Sequence, residues 1–203
     1  MDRLSALLEL FSPKTEKIEL LICDQSDLVL PAASTISVIN RGNAHIASED
    51  QATVFLQQGD LIWVTQDSHL NITIDSDDFE LLCCQLKFGP VKLNPLYDML
   101  PPILLIKHDD NARQTLSPII QLLFEESQQQ RCGQETVLDR LGEVLLVHVL
   151  RFLMANQKVE SGVLAGLSDI RLARAITAIH RDPKQRWSIE SLALLAGMSR
   201  TAF

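Results

Sequence analysis

The chain has 203 residues, 46% of them hydrophobic, and a formal net charge of -8, which is enough apolar material for a substantial core in one or two domains and excludes a disordered polypeptide. No apolar run approaches the ~18 residues of a membrane span and no basic-plus-apolar leader opens the chain, so a cytoplasmic protein with no membrane partner is expected. Four cysteines, Cys23, Cys83, Cys84 and Cys132, follow no metal-ribbon or zinc-finger spacing, which argues for reduced thiols and against a disulfide scaffold.

Residues 2–10 carry Leu4, Leu7 and Leu8 at helical spacing ahead of Pro13, predicting a short leading helix. Over residues 17–88 the pattern changes to short β-like runs at 18–23, 35–41, 44–47, 53–56, 61–65, 70–74 and 79–88. Turn signals at 40–43, 58–60 and 75–78 divide them. Many short strands so spaced predict a small barrel or jelly roll. The adjacent Cys83 and Cys84 point to opposite faces of the last strand, so at least one of them faces the interior.

Pro101 and Pro102 then break the chain, and a strand-like run follows at 103–106. Two long helices are predicted over 112–130 and 134–156. The second carries Val137, Leu138, Leu141, Val144, Leu145, His148, Phe152 and Leu153 on a broad apolar face, which an antiparallel helix pair would bury. Arg140 and Arg151 are expected on its solvated or partner-facing edge. Residues 158–167, of mixed polarity and with two glycines, read as a linker. Ser168 is expected to cap a helix over 169–180 that Asp182 and Pro183 end.

The last stretch, W-S-I-E-S-L-A-L-L-A-G-M-S-R-T-A-F over 187–203, has the spacing of a helix-turn-helix. A helix opening on Ser188 is expected to bury Ile189, Leu192 and Ala193 and to turn at Gly197, and Ser199 then caps a second helix. Residues 168–203 hold six basic and three acidic side chains, a balance of +3 that leaves -11 on the rest. Two parts with different partners are therefore expected, and only the last has the sign that phosphates require. Ser199 at the N-cap, with Arg200 and Thr201 in the first turn, are the candidate DNA-contacting residues.

The run over 170–203, R-L-A-R-A-I-T-A-I-H-R-D-P-K-Q-R-W-S-I-E-S-L-A-L-L-A-G-M-S-R-T-A-F from Arg171 on, resembles the opening of an AraC/XylS-family DNA-binding domain. The start M-D-R-L-S-A-L-L-E-L, the G-D-L-I-W-V and S-H segments over 59–69, L-L-C-C-Q-L-K-F and L-P-P-I are similar to the cupin-type sensor domain of one AraC subgroup. This resemblance spans nearly the whole chain. It implies a second helix-turn-helix beyond Phe203, so that residues 1–203 alone are expected to bind DNA weakly.

Against the metal-binding cupin pattern, His45, Glu49 and His69 are the arguable ligands, but the paired H-x-H is missing, and neither a metal nor another cofactor is expected. Cys23 lies in the first strand and Cys83 in the last, and terminal strands of a closed barrel can be neighbours. Two such thiols could oxidise to a disulfide, and some regulators of this subgroup resemble the chain in carrying a Cys at both positions. Cys84 stands where that subgroup usually has glycine, which leaves open which of the pair would act. His69 is a further candidate for the sensing pocket. No Ser-His-Asp order, phosphate loop or paired catalytic carboxylate points to an enzyme.

The expected architecture is α+β: a cupin-like β barrel or jelly roll at 1–107, a helical dimerisation region at 108–157, a linker at 158–167 and an incomplete helix-turn-helix domain at 168–203. The expected function is a one-component transcription regulator, a homodimer that senses a small molecule or an oxidant. A metal-dependent cupin enzyme and a ligand-free dimerisation module are the rivals; an apolar-filled barrel would mark the second.

Overall fold

The computed structural model describes Leu4, Leu8 and residues 13–23, 26–30, 34–46, 53–65, 70–88, 100–108, 112–156, 166 and 169–203. Nine strands and four helices are described: β1 Lys14–Cys23, β2 Asp27–Leu30, β3 Thr35–Arg41, β4 Asn43–Ile46, β5 Val54–Gln57, β6 Leu61–Val64, β7 Leu70–Ile74, β8 Phe79–Lys87 and β9 Ile103–Ile106, then α1 Ala112–Gln128, α2 Gln134–Ala155, α3 Ile170–Arg181 and α4 Ile189–Ala196. Of the expected leading helix only Leu4 and Leu8 are described, and the Leu8 N-H donates to the Leu4 carbonyl at 2.9 Å. Most of the linker lies outside the described residues.

The strands form two antiparallel sheets, ordered β1-β8-β3-β6-β9 and β2-β7-β4-β5. The pairings of β1 with β8, β2 with β7, β3 with β6 and β4 with β5 are those of a jelly roll, with β9 added at one edge. The fold is α+β, as the sequence pattern predicts.

Strand β2 is an addition to the sequence reading. It is four residues long, too short to stand out, and it exists because it pairs with β7, Leu30 opposite Leu70 and Leu28 opposite Ile72. Its alternation puts Leu30 in the core and leaves Val29 exposed.

The two sheets differ in how their outer faces are covered. Every residue of β6, L-I-W-V, is buried, and so are the first five of β3, whereas β4 and β5 alternate between covered and exposed positions. A strand covered on both sides reads as a continuous apolar run. The second cover of the five-stranded sheet includes α2. Thr15 on β1 donates its hydroxyl to the Asp139 carbonyl at 2.8 Å. A Cβ at Gly142 would lie 2.4 Å from Thr15 Oγ1, 2.9 Å from Cys84 Sγ and 3.2 Å from Ile18 Cδ1. Glycine lets the helix backbone rest on the sheet.

By its contacts the chain divides into two compact units, one made of Lys14–Lys87 and Leu100–Val149, the other of Met1–Pro13, Phe88–Met99 and Leu150–Phe203. The helical residues 112–149 therefore group with the barrel, and the division falls within α2 rather than at the linker. No described helix is long and apolar enough to cross a membrane.

Candidate functional site

The C-terminal helices are built from local rules. Helix α3 is capped by Asp169, one residue after the expected Ser168, which itself lies outside the described residues. The Asp169 carboxylate accepts the Arg171 N-H at 2.8 Å and pairs with its guanidinium at 2.8 Å. The hydrogen bonds from Arg171 hold this exposed carboxyl down to about 2. An anion at a helix N-terminus also meets the positive end of the helix dipole.

At the other end of α3, Trp187 donates its indole N-H to the Asp182 carbonyl at 3.0 Å, bracing the turn into α4. Ser188 and Ser191 form a reciprocal capping box at the start of α4. Its last turn closes on Gly197 at φ 67°, with Met198 N-H donating to the Ala193 carbonyl at 2.9 Å. Only a residue that tolerates the left-handed region fits this stop.

Four alanines of this pair, Ala173, Ala175, Ala193 and Ala196, are buried, and buried Thr177 donates its hydroxyl to the Ala173 carbonyl. Small side chains let two helices approach closely. Leu192 and Trp187 are half-buried, in line with a packing role. Ile189 departs from expectation, since 53% of it is exposed. It is the first residue of an eight-residue helix whose buried positions, Ala193 and Ala196, lie further along.

Beyond Gly197, Ser199 accepts the Ala202 N-H on its hydroxyl at 3.2 Å, and the Phe203 N-H reaches the Ser199 carbonyl at 3.0 Å. That is the geometry of a new helical start. Ser199, Arg200 and Thr201 are all exposed there. Arg200 pairs with Glu190 of α4 at 3.1 Å, with both side chains largely in solvent, so an incoming phosphate competes only with a weak surface pair.

In the barrel unit, described residues of both sheets pack into an apolar cluster. Leu30, Ile39, Leu56, Ile62, Ile72 and Phe79 are each at most 1% exposed, and Cys83 joins their cluster. Cys83 lies 3.5 Å from the Ser37 hydroxyl, while Cys84 faces the opposite way, under Gly142. Both are buried because both faces of β8 are covered. Burial pushes the Cys83 thiol up to about 11 and Cys84 up to about 12, so neither is a ready nucleophile at neutral pH.

Strands β1 and β8 are neighbours, as the barrel closure suggests, but the register matters. Cys23 stands opposite Phe79, and Cys83 opposite Glu19. Four strand positions separate the two residues, which puts their Cα atoms roughly 13 Å apart along the strand, whereas a disulfide needs Cα atoms within about 7 Å. All four cysteines are free, Cys132 being the exposed one.

Of the arguable metal ligands, Glu49 and His69 lie outside the described residues. His45 alternates with buried Ala44 and therefore points outward from the four-stranded sheet. There its ring meets the Asp75 carboxylate at 2.9 Å and tilts against Phe55. Among the described residues no three His, Cys, Asp or Glu side chains converge as metal ligands.

A feature that sequence reasoning missed lies at one end of the barrel. Asp60, whose side chain is 0% exposed, accepts four hydrogen bonds: from Gln57 N-H at 3.1 Å, Lys107 Nζ at 2.8 Å, His108 N-H at 2.8 Å and the His108 ring at 3.3 Å. This cluster ties the β5–β6 turn to the end of β9. Beside it opens a cleft of about 810 Å³, walled on the other side by α1 through Leu116, Ile120 and Phe124. The only sequence signal was the Gly59-Asp60 turn, because Lys107 and His108 come nearly fifty residues later.

The Cupin_6 (cupin) family model matches residues 2–155. Over 88 residues the chain is 41% identical to an uncharacterized HTH-type transcriptional regulator of Haemophilus influenzae, covering 43% of this chain and 30% of that protein. It is 33% identical over 126 residues to an AraC-like transcription regulator of Streptomyces lividans, covering 62% of this chain and 41% of the relative. Over 211 residues it is 26% identical to the RCS-specific HTH-type transcriptional activator RclR of Escherichia coli, covering 100% of this chain and 74% of RclR. The chain thus spans less than half the length of the first two relatives.

Proposed function

Since the chain belongs to the cupin family, in the group of AraC-type regulators that carry an N-terminal cupin domain, we propose that it is a one-component transcription regulator that binds promoter DNA through α3, α4 and the helical start at Ser199. The observation that carries this reading is the capped α4, the left-handed stop at Gly197 and the exposed Ser199, Arg200 and Thr201 that follow. A helix entered from such a cap presents its first-turn side chains to the major groove and its N-H groups to phosphate. The protein acts in the cytoplasm, where its DNA lies, and needs no catalytic step.

The test is a gel shift on promoter DNA with the protein expressed from its intact gene. Arg200→Ala should weaken binding roughly 10- to 100-fold, the span of one lost base or phosphate contact. Unchanged affinity and salt dependence would remove Arg200 from the interface. Residues 1–203 alone should bind weakly and lose binding with salt, because they bring few phosphate contacts; tight, salt-resistant binding by them would contradict this.

The cupin-like domain is the sensor, and the same chain dimerises through α1 and α2. Support for the dimer comes from Val137 and Val144, seven residues apart on α2 and each about 40% exposed, with Arg140 and Arg151 on the same solvent side. Apolar residues at that spacing form a stripe that a second copy would cover. Val144→Asp should convert a dimer to a monomer in sedimentation; a wild-type monomer at micromolar concentration would dispose of the idea. Of the two kinds of signal, a small molecule is better supported than an oxidant, because Cys83 and Cys84 are buried with raised thiol pKa values and the β1–β8 register sets both of them away from Cys23.

A further inference from the structure

An effector site inside the barrel would compete with a packed apolar core, since Leu56, Ile62, Ile72, Phe79 and Leu81 are each at most 1% exposed there. The cleft beside Asp60 is a different kind of surface. Its floor is apolar, from Leu61 and Ile106 on the strands and Leu116, Ile120 and Phe124 on α1. Its rim carries six carboxamides, those of Asn40, Asn43, Gln57, Gln58, Gln121 and Gln128. A volume near 810 Å³ lies within the range of small-molecule sites.

The charges on the walls are already committed. Lys107 pairs with buried Asp60 at 2.8 Å and also donates to the Phe55 carbonyl, and the His108 ring is shared between Asp60 and Gln57. Glu125 accepts from Gln121 at 2.9 Å. An anionic ligand would find its cation spent and a carboxylate nearby. Carboxamides each offer both donors and an acceptor, which suits groups that do the same; Asn40, Gln57 and Gln121 turn their NH₂ groups to Glu80, His108 and Glu125, and each keeps a carbonyl oxygen and a second N-H.

We propose that this cleft is the effector site of the sensor domain, and that it takes a neutral organic molecule bearing hydroxyl or amide groups on an apolar body. The proposal rests on the regulator reading above and adds the place and chemistry of its signal. Helix α1 is one wall of the cleft, and its C-terminal turn is joined to the start of α2 by the Gln134 amide, which donates to the Glu126 carbonyl at 2.7 Å. A ligand wedged against α1 acts on the helices that carry the dimer stripe. It shifts the regulator only to the extent that it prefers one helix arrangement over another.

The test is calorimetric titration of the 203-residue chain with two matched pairs: phenyl glucoside against phenyl glucuronide, and N-acetylphenylalanine amide against N-acetylphenylalanine. The first pair probes hydroxyls, the second amides, and each pair differs by one carboxylate. At least one neutral member should bind, roughly tenfold or more tighter than its anionic counterpart. Ser117 lines the cleft from an exposed position on α1, so Ser117→Trp should fill it and cut the affinity at least about tenfold. Gln121→Met, which keeps the length and removes the amide, should cost roughly 3- to 10-fold, with far-UV circular dichroism and the melting temperature as folding controls for both variants. No binding by either neutral compound, preference for the anions, or binding indifferent to Ser117→Trp would each overturn the proposal. Promoter binding is scored separately by gel shift, whose failure would sink the regulator reading and leave the calorimetry to judge the cleft.

Discussion

Asp60→Ala should lower the stability of the barrel unit by ~2–4 kcal/mol. Both oxygens of this carboxylate are used: Oδ2 accepts from Gln57 N-H and Lys107 Nζ, and Oδ1 from the backbone and ring of His108. Alanine takes the acceptor from two backbone N-H groups and the His108 ring and the counter-charge from Lys107, which keeps the Phe55 carbonyl. The Lys107 side chain is 35% exposed, so water recovers part of its loss, and the lower half of the usual range for breaking a buried pair applies. In a chain of this length the melting temperature should fall by roughly 5–15 °C.

Asp60→Asn is the sharper variant. Its carboxamide has the same shape but one acceptor oxygen, so its NH₂ would face donors on one side of the cluster. We expect it to recover less than half of the loss. A melting temperature within about a degree of wild type for both variants would show that the cluster contributes nothing to stability.

Gly142→Leu should cost ~1–3 kcal/mol or more and, in addition, change the chemistry of a cysteine. The Cβ position at Gly142 already meets Thr15 Oγ1 at 2.4 Å and Cys84 Sγ at 2.9 Å. Gly142→Ala already clashes with two short side chains, Thr15, whose hydroxyl is held by the Asp139 carbonyl, and buried Cys84, so the about 1 kcal/mol of helix propensity it gains is offset and the net effect should be a loss of ~0–2 kcal/mol. Leucine cannot be accommodated without lifting α2 from the sheet. Cys84 then gains water, its pKa drops from about 12 toward the ordinary 9.0, and more of it is thiolate at pH 8.

A thiol reagent should therefore label Cys84 in native Gly142→Leu but only in unfolded wild type. Cys132, exposed in the turn between α1 and α2, labels quickly in both and serves as the reference. Equal Cys84 rates in the two proteins would mean that α2 does not seal this face. The buried thiols also fix a pH dependence: because the folded state raises both pKa values above 9.0, their contribution to stability is complete below about pH 9 and is lost as the pH climbs through 11 to 12.

Local signals in the chain determined a large share of this protein. Alternating apolar runs between Gly, Asn and Asp turns gave seven strands and then 103–106, all but the first nearly at their true bounds; β1 starts at Lys14, four residues ahead of the expected 18, where the charged K-T-E-K run carries no apolar alternation. Helical periodicity gave α1 and α2, and Ser188, Gly197 and Ser199 announced the caps and the turn of the DNA-binding segment. These features rest on contacts within a few residues, so the order of side chains suffices to state them.

What depends on partners far along the chain was decided only by the tertiary structure. Strand β2 is a strand because β7 lies beside it. Ile189 remains exposed because it opens α4, a turn ahead of the buried Ala193 and Ala196. Cys23 and Cys83 share adjacent strands, yet the β1–β8 register sets them four positions apart, a quantity that alternation alone does not encode. The cleft and its Asp60 cluster were invisible for the same reason. Asp60 meets Lys107 across 47 residues of sequence, and only the closure of β9 onto β6 brings the two together.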